Sequence, residues 1–217
     1  MDMERARFNM VEQQVRPWEV LDQRVLDLLG SVPREAFVPD TYRELAFADL
    51  ELPIGHDQVM LPPRTQARAL QSLDVRAADR VLEVGTGSGY LTALLARLAH
   101  HVYSVEILPE LAELASHNLA AIGVGNVTVE SGDAAAGWPR HAPYDAILIG
   151  GALASVPDSL REQLRPGGRM FVVVGSEPVM EARLITRVGE NQWTDEVLFE
   201  TLVPPLANAP EPSRFVF

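Results

Sequence analysis

Residues 81–95 read VLEVGTGSGYLTALL, a short apolar run that breaks into three glycines and resumes with a helical pattern. This stretch constrains the fold most, because a glycine turn between a strand and a helix is a device of parallel α/β sheets. Gly85, Gly87 and Gly89 let the backbone approach a ligand and leave the first helical amides free to meet it. The spacing is G-x-G-x-G. Tyr90 stands where the dinucleotide fingerprint G-x-G-x-x-G has its last glycine, so adenosine without a pyrophosphate fits better than a dinucleotide.

Strands and helices alternate downstream. "HVYSVE", "NVTVES", "YDAILIGG" and "GRMFVVVG" read as strands, and "SGYLTALLARLA", "PELAELASHNLAAIG" and "PDSLREQL" as helices. Pro109 sits near the start of the second helix and Gly123 just past its end. "EARLITRV" and "WTDEVLFETLV" alternate like an antiparallel pair at one sheet edge. The expected fold is α/β: a Rossmann-like, doubly wound, mostly parallel seven-stranded sheet with an antiparallel edge, plus an N-terminal helical lobe. We divide the chain into a helical and loop lobe at 1–72, the core at 73–206 and a Pro-rich tail at 207–217. In the lobe, Asp22 is the expected N-cap of "DQRVLDLLG", Gly30 its stop, and residues 32–63 loops and short helices. We expect the early tail near the nucleotide site, and its apolar end "RFVF" docked in a groove.

Composition narrows the function classes. With 217 residues the chain can bury a full core, and no apolar run approaches the ~20 residues of a membrane span. The N-terminus mixes charged and apolar residues unlike a secretory signal, so a cytoplasmic location is expected. A net charge of -12 without a basic cluster argues against nucleic-acid or anionic-lipid partners. There is no cysteine, and the five histidines have no metal-ligand spacing, so no metal is expected.

Two acids complete a nucleoside site. Glu106 ends the strand after the glycine turn, where its two oxygens can accept both ribose hydroxyls. Asp133 follows the third strand and can accept from an adenine amino group, though alone such a residue is more often a turn former.

The motifs "VPREAFVP", "LPIG", "VLEVGTGSGYLTA", "VYSVE", "GDAAAGWP", "APYDAILI", "LRPGGR" and "VVVG" follow one another as in protein-L-isoaspartate O-methyltransferases. The chain resembles that family over about residues 10–206. The resemblance implies methylation, dependent on S-adenosyl-L-methionine (AdoMet), of the carboxylate of abnormal L-isoaspartyl residues in peptides and damaged proteins, with S-adenosyl-L-homocysteine as product. The ester then collapses to a succinimide that partly returns as aspartate. The cofactor-binding residues it marks are Glu83, Gly85, Thr86, Gly87, Ser88, Gly89, Glu106, Ile107, Asp133 and Ala134.

One segment departs from the family. Gly55–Pro63 resembles G-x-x-Q-T-I-S-x-P, the acceptor loop, and Gln58 and Pro63 match it. Val59, Met60 and Leu61 replace the Thr, Ile and Ser, so the family's hydroxyl is absent and no catalytic side chain is assigned. Gln58, Val59, Met60 and Leu61 form the expected substrate pocket, with His56 and Arg64 as the nearest polar groups. Methyl transfer to a carboxylate tolerates such a loop, since the acceptor is already ionised above its pKa of about 4. Three functions stay open: the isoaspartyl enzyme, a methyltransferase redirected to another acceptor, and an AdoMet-binding protein without turnover. Oligomeric state is not legible.

Overall fold

The computed structural model describes residues 2–209. Helix α1 (Met3–Asn9) runs into a π-helical turn at Met10–Val15 and a 3₁₀ turn at Arg16–Trp18. Helix α2 (Gln23–Ser31) starts as expected, with the Asp22 carboxylate accepting from the Arg24 amide at 2.9 Å. Gly30 does not stop it. The helix ends one residue later because Val32 precedes Pro33 and is extended, φ -78 and ψ 123.

Residues 32–63 correct the expectation of loops and short helices. After 3₁₀ turns at Arg34–Ala36 and Asp40–Leu45, strands β1 (Leu52–Gly55) and β2 (Gln58–Met60) form an antiparallel hairpin. His56 and Asp57 at its tip have φ of 53 and 56, the left-handed pair that matches strand twist in a two-residue hairpin. Helix α3 (Pro63–Leu73) follows, with Pro63 at a position where no intrahelical N–H bond is lost.

The core is laid down by β3 (Arg80–Val84), α4 (Tyr90–Leu98), β4 (His101–Glu106), α5 (Pro109–Ala121), β5 (Val127–Ser131) and β6 (Tyr144–Leu153). Helix α6 (Asp158–Glu162), β7 (Leu164–Ser176), β8 (Val179–Gly189) and β9 (Gln192–Glu200) complete it. Helix α6 is shorter than "PDSLREQL" suggests, and β7 begins four residues before the expected Gly168. The seven-stranded sheet has the order β5-β4-β3-β6-β7-β8-β9, parallel through β7 and antiparallel at β8 and β9. The chain winds outward from β3 to β5, then returns to β6 on the other side of β3. The carboxyl ends of β3 and β6 therefore flank the topological switch point, where open α/β sheets place their ligands.

Alternation along β3 divides the interior. Val81 packs in a core that also holds Met10, Leu26, Phe37, Leu52 and Leu70 of the N-terminal segment, while Leu82 and Val84 pack on the opposite face with Tyr144, Ile147 and Met170. The segment before residue 73 thus shares one apolar core with the sheet. No helix among the described residues is long and apolar enough to cross a membrane. The apolar end "RFVF" lies outside the described residues.

Candidate functional site

At the end of β3 the backbone turns left-handed at Gly85 and Gly87, φ 90 and 56. A Cβ on Gly85 would sit 3.6 Å from Leu206 and one on Gly87 3.1 Å from Ile54, and all four residues line one cleft. Any side chain at these turns would project into that space. Gly89 faces elsewhere, since its Cβ would meet Ala115 of α5 at 3.2 Å, so its role is close helix packing. The cleft opens to solvent between the glycine turn, the hairpin at Ile54–Leu61 and the segment Pro204–Ala207.

Glu106 is almost fully buried at the cleft wall. Its Oε2 accepts from the Gly87 amide at 2.9 Å and its Oε1 from the Leu108 amide at 3.1 Å. Each oxygen keeps a second lone pair. Asp133 lines the same cleft with Ile107 and Ala134. Its Oδ1 closes a turn on the Ala135 amide at 2.9 Å, leaving Oδ2 to a long contact of 3.4 Å from Asn208. It is both a turn former and a cleft carboxylate.

Glu83 does not line the cleft. Its carboxylate lies fully buried beneath the turn, where Oε2 accepts from Thr92 of α4 at 2.5 Å and Ser104 of β4 at 2.6 Å. Ser104 also meets Thr86 at 2.6 Å, so the network ties the turn to the sheet below it. Burial pushes the Glu83 carboxyl up to about 7, against the two hydroxyl donors that favour its charged form.

The hairpin forms the facing wall. Gln58, Val59 and Leu61 line the cleft, while Met60 is buried and borders an adjoining small recess with Thr86 and Ser88. His56 is exposed at the hairpin tip. Arg64 is drawn off to Asp49 at 3.0 Å and lies 4.1 Å over the Trp18 ring. Neither lines the cleft. The far wall is Pro204–Ala207, held on β6 by Ala152, whose amide donates to the Pro204 carbonyl at 2.9 Å and whose carbonyl accepts from Leu206 at 2.8 Å.

Two features, Gly150 and Arg34, are not marked in the sequence, while the wall at Leu206 lies where the early tail is expected. Gly150 lies against the turn, where a Cβ would stand 2.9 Å from the Gly85 carbonyl; glycine inside a strand pattern is a known sign of close backbone approach. Leu206 closes the cleft. Arg34 is completely buried behind the β1–β2 hairpin, donating to the carbonyls of Ala46 at 2.7 Å and Leu61 at 2.8 Å and to Gln66 Oε1. Burial lowers its guanidinium to about 10 and raises the adjacent Tyr90 hydroxyl to about 12.

Residues 6–209 match the family model of protein-L-isoaspartate (D-aspartate) O-methyltransferase. The chain belongs to that family. It is an AdoMet-dependent methyltransferase by that membership. A relative from Pelobacter propionicus, protein-L-isoaspartate O-methyltransferase 2, is 41% identical over 96% of this chain and 93% of its own. The Aeropyrum pernix protein-L-isoaspartate O-methyltransferase is 43% identical over 93% of this chain and 79% of its own. Among solved structures, a protein-L-isoaspartate O-methyltransferase superposes with a TM-score of 0.80 at 25% identity, covering 92% of this chain and 65% of that one. A Plasmodium falciparum structure described as a putative member, in complex with S-adenosyl-L-homocysteine, shares the fold with a TM-score of 0.77 at 17% identity, over 95% of this chain and 98% of that one.

Proposed function

We propose that this methyltransferase esterifies the side-chain or α-carboxylate of L-isoaspartyl residues in damaged peptides and proteins, within the cleft between the glycine turn and the acceptor hairpin. The observation that carries the reading is that cleft: Gly85, Gly87, Glu106 and Asp133 on one wall face Gln58, Val59 and Leu61 on the other. The donor side fits an adenosine group, because the turn is kept clear of side chains and two carboxylates with lone pairs to spare border it. Glu106 would hold the ribose hydroxyls and Asp133 the adenine amino group. AdoMet supplies, when bound, an activated methyl group on a cationic sulfur.

The protein's own work is placement. An isoaspartyl carboxylate is ionised at neutral pH, with a pKa of about 4, so it needs neither a base nor a protein nucleophile. Ile54, Val59 and Leu61 form an apolar wall that excludes water beside the reacting groups. The Gln58 amide is the polar side chain of that wall and would donate to the acceptor carboxylate; its present contact, to the His56 carbonyl at 3.4 Å, is a weak one to give up.

Leu61 and the two prolines after it favour a second reading, a methyltransferase of this family redirected to a less polar acceptor. Transfer of labelled methyl to an isoaspartyl peptide, against the same peptide with normal aspartate, separates the two. The first reading expects turnover on the isoaspartyl peptide alone. Turnover of another acceptor with neither peptide methylated supports the second, and donor binding without any turnover would refute both.

A further inference from the structure

Arg34 is 0% exposed, yet its described hydrogen-bond partners are all uncharged oxygens. Asp49, the neighbouring acid, is engaged by Arg64 at 3.0 Å. An unpaired buried cation costs several kcal/mol, and an apolar residue of similar size would fill the space at less expense. What the charge holds should therefore explain why it is there.

The guanidinium is a rigid planar fork, and here its three nitrogens reach three separate segments. Nε takes the Ala46 carbonyl, Nη1 takes Gln66 of α3, and Nη2 takes the Leu61 carbonyl between β2 and α3. Its face lies 4.8 Å over the ring of Tyr90, the first residue of α4 after the glycine turn. Leu61 is followed by Pro62 and Pro63, neither of which has an N–H; the Pro62 carbonyl is taken by the Gln66 amide of α3 at 3.2 Å, and the Leu61 carbonyl needs a donor from elsewhere. Arg34 supplies that donor. A grip on a backbone carbonyl is also indifferent to the side chain at position 61, so the hairpin can keep its path although the family's serine has become leucine.

We infer that Arg34 is the positioning residue of the acceptor wall, its grip on the Leu61 carbonyl and its stack on Tyr90 setting Val59 and Leu61 in register with the glycine turn. The inference rests on reading Val59–Leu61 as the acceptor wall, and it is testable apart from the identity of the acceptor.

Arg34→Lys keeps the charge and removes the fork. Amide hydrogen exchange should rise at least ~10-fold at residues 59–61 and stay unchanged at 81–84, since opening would be local. On an isoaspartyl peptide, kcat should fall at least ~10-fold with the acceptor KM moved far less, the mark of a misplaced but bound acceptor. A folded variant with wild-type exchange at 59–61, or with wild-type kcat, overturns the proposal. So does a uniform rise in exchange that includes 81–84, which would mark Arg34 as a general structural residue. If Arg34→Lys does not fold, Gln66→Leu carries the same measurements and criteria, because the fork then loses the acceptor that fixes its plane. If the wild-type protein methylates no isoaspartyl peptide, the substrate reading fails and the exchange data alone decide the role of Arg34.

Discussion

The two walls of the cleft are built on opposite plans. The donor wall is polar and locked from within, with Glu106 bonded to the Gly87 amide and Thr86 tied through Ser104 to the buried Glu83. The acceptor wall is apolar and two-stranded, and it is gripped from behind by one arginine. The contrast follows from what each substrate brings. A nucleoside must be recognised by many directional contacts, whereas a carboxylate arrives already charged and already nucleophilic. The donor wall must be specific, while the acceptor wall must chiefly be shaped and dry, so its side chains can drift while its backbone path is kept.

The sharpest way to break the comparison is to crowd the donor wall. Gly150→Val would force a branched side chain onto the Gly85 and Val84 carbonyls, which already stand 2.9 and 3.0 Å from an added Cβ. Displacing the turn by about 1 Å should cost on the order of 100-fold in activity. Calorimetry with S-adenosyl-L-homocysteine should show a comparable loss of affinity, and wild-type binding would mean that the turn does not hold the donor. Glu106→Ala removes a carboxylate that braces the turn and that we propose holds the ribose hydroxyls. Its expected cost is about 1.5–3 kcal/mol in donor affinity, the value of a hydrogen bond to a charged group. Unchanged binding in this variant would take Glu106 out of the site.

The same contrast governs what could be read in the sequence. Parallel strands buried on both faces leave continuous apolar runs, and the turn between β3 and α4 leaves glycines, so the sheet, its antiparallel edge and the donor motif were all legible. The acceptor hairpin was not, because its tip uses His56 and Asp57 at positive φ where Asn-Gly would have announced it. Arg34 lies within "VPREAFVP" but nothing there singles it out, since an arginine is exposed by default and only the fold shows three segments closing over it. Glu83 shows the reverse error. Its place in the glycine motif suggested ligand contact, while alternation along β3 turns it into the interior beneath α4.

A smaller change sharpens the comparison on the acceptor side. Leu61→Ser restores the family's hydroxyl to a wall whose backbone is held independently of that side chain. One added hydrogen bond to the acceptor carboxylate should raise kcat/KM on an isoaspartyl peptide by roughly 10-fold. Donor affinity should not move. An unchanged rate, with good turnover of a different acceptor, would show that the apolar wall had been selected for that acceptor.

The last test concerns the support under the donor wall and is read in stability rather than in activity. The Glu83 carboxyl titrates at about 7 in the folded protein, against 4.5 as its ordinary value, because burial disfavours the charge. Below 4.5 the group is protonated in folded and unfolded chains alike, and its contribution is fully present. As pH rises from there the unfolded chain releases the proton and the folded one keeps it, so stability declines until about 7 and then levels off. The loss is at most roughly 3 kcal/mol, several degrees in melting temperature for a chain of this size. Glu83→Gln mimics the protonated form and abolishes the decline. Its amide nitrogen, standing where Oε1 now has no partner, adds a penalty that does not vary with pH. The melting temperature of Glu83→Gln relative to wild type should therefore climb between pH 4.5 and 8, whatever its absolute offset. A difference that stays flat across that range would mean that Glu83 is ionised in the fold, and the donor wall would then rest on a buried charge, as the acceptor wall does on Arg34.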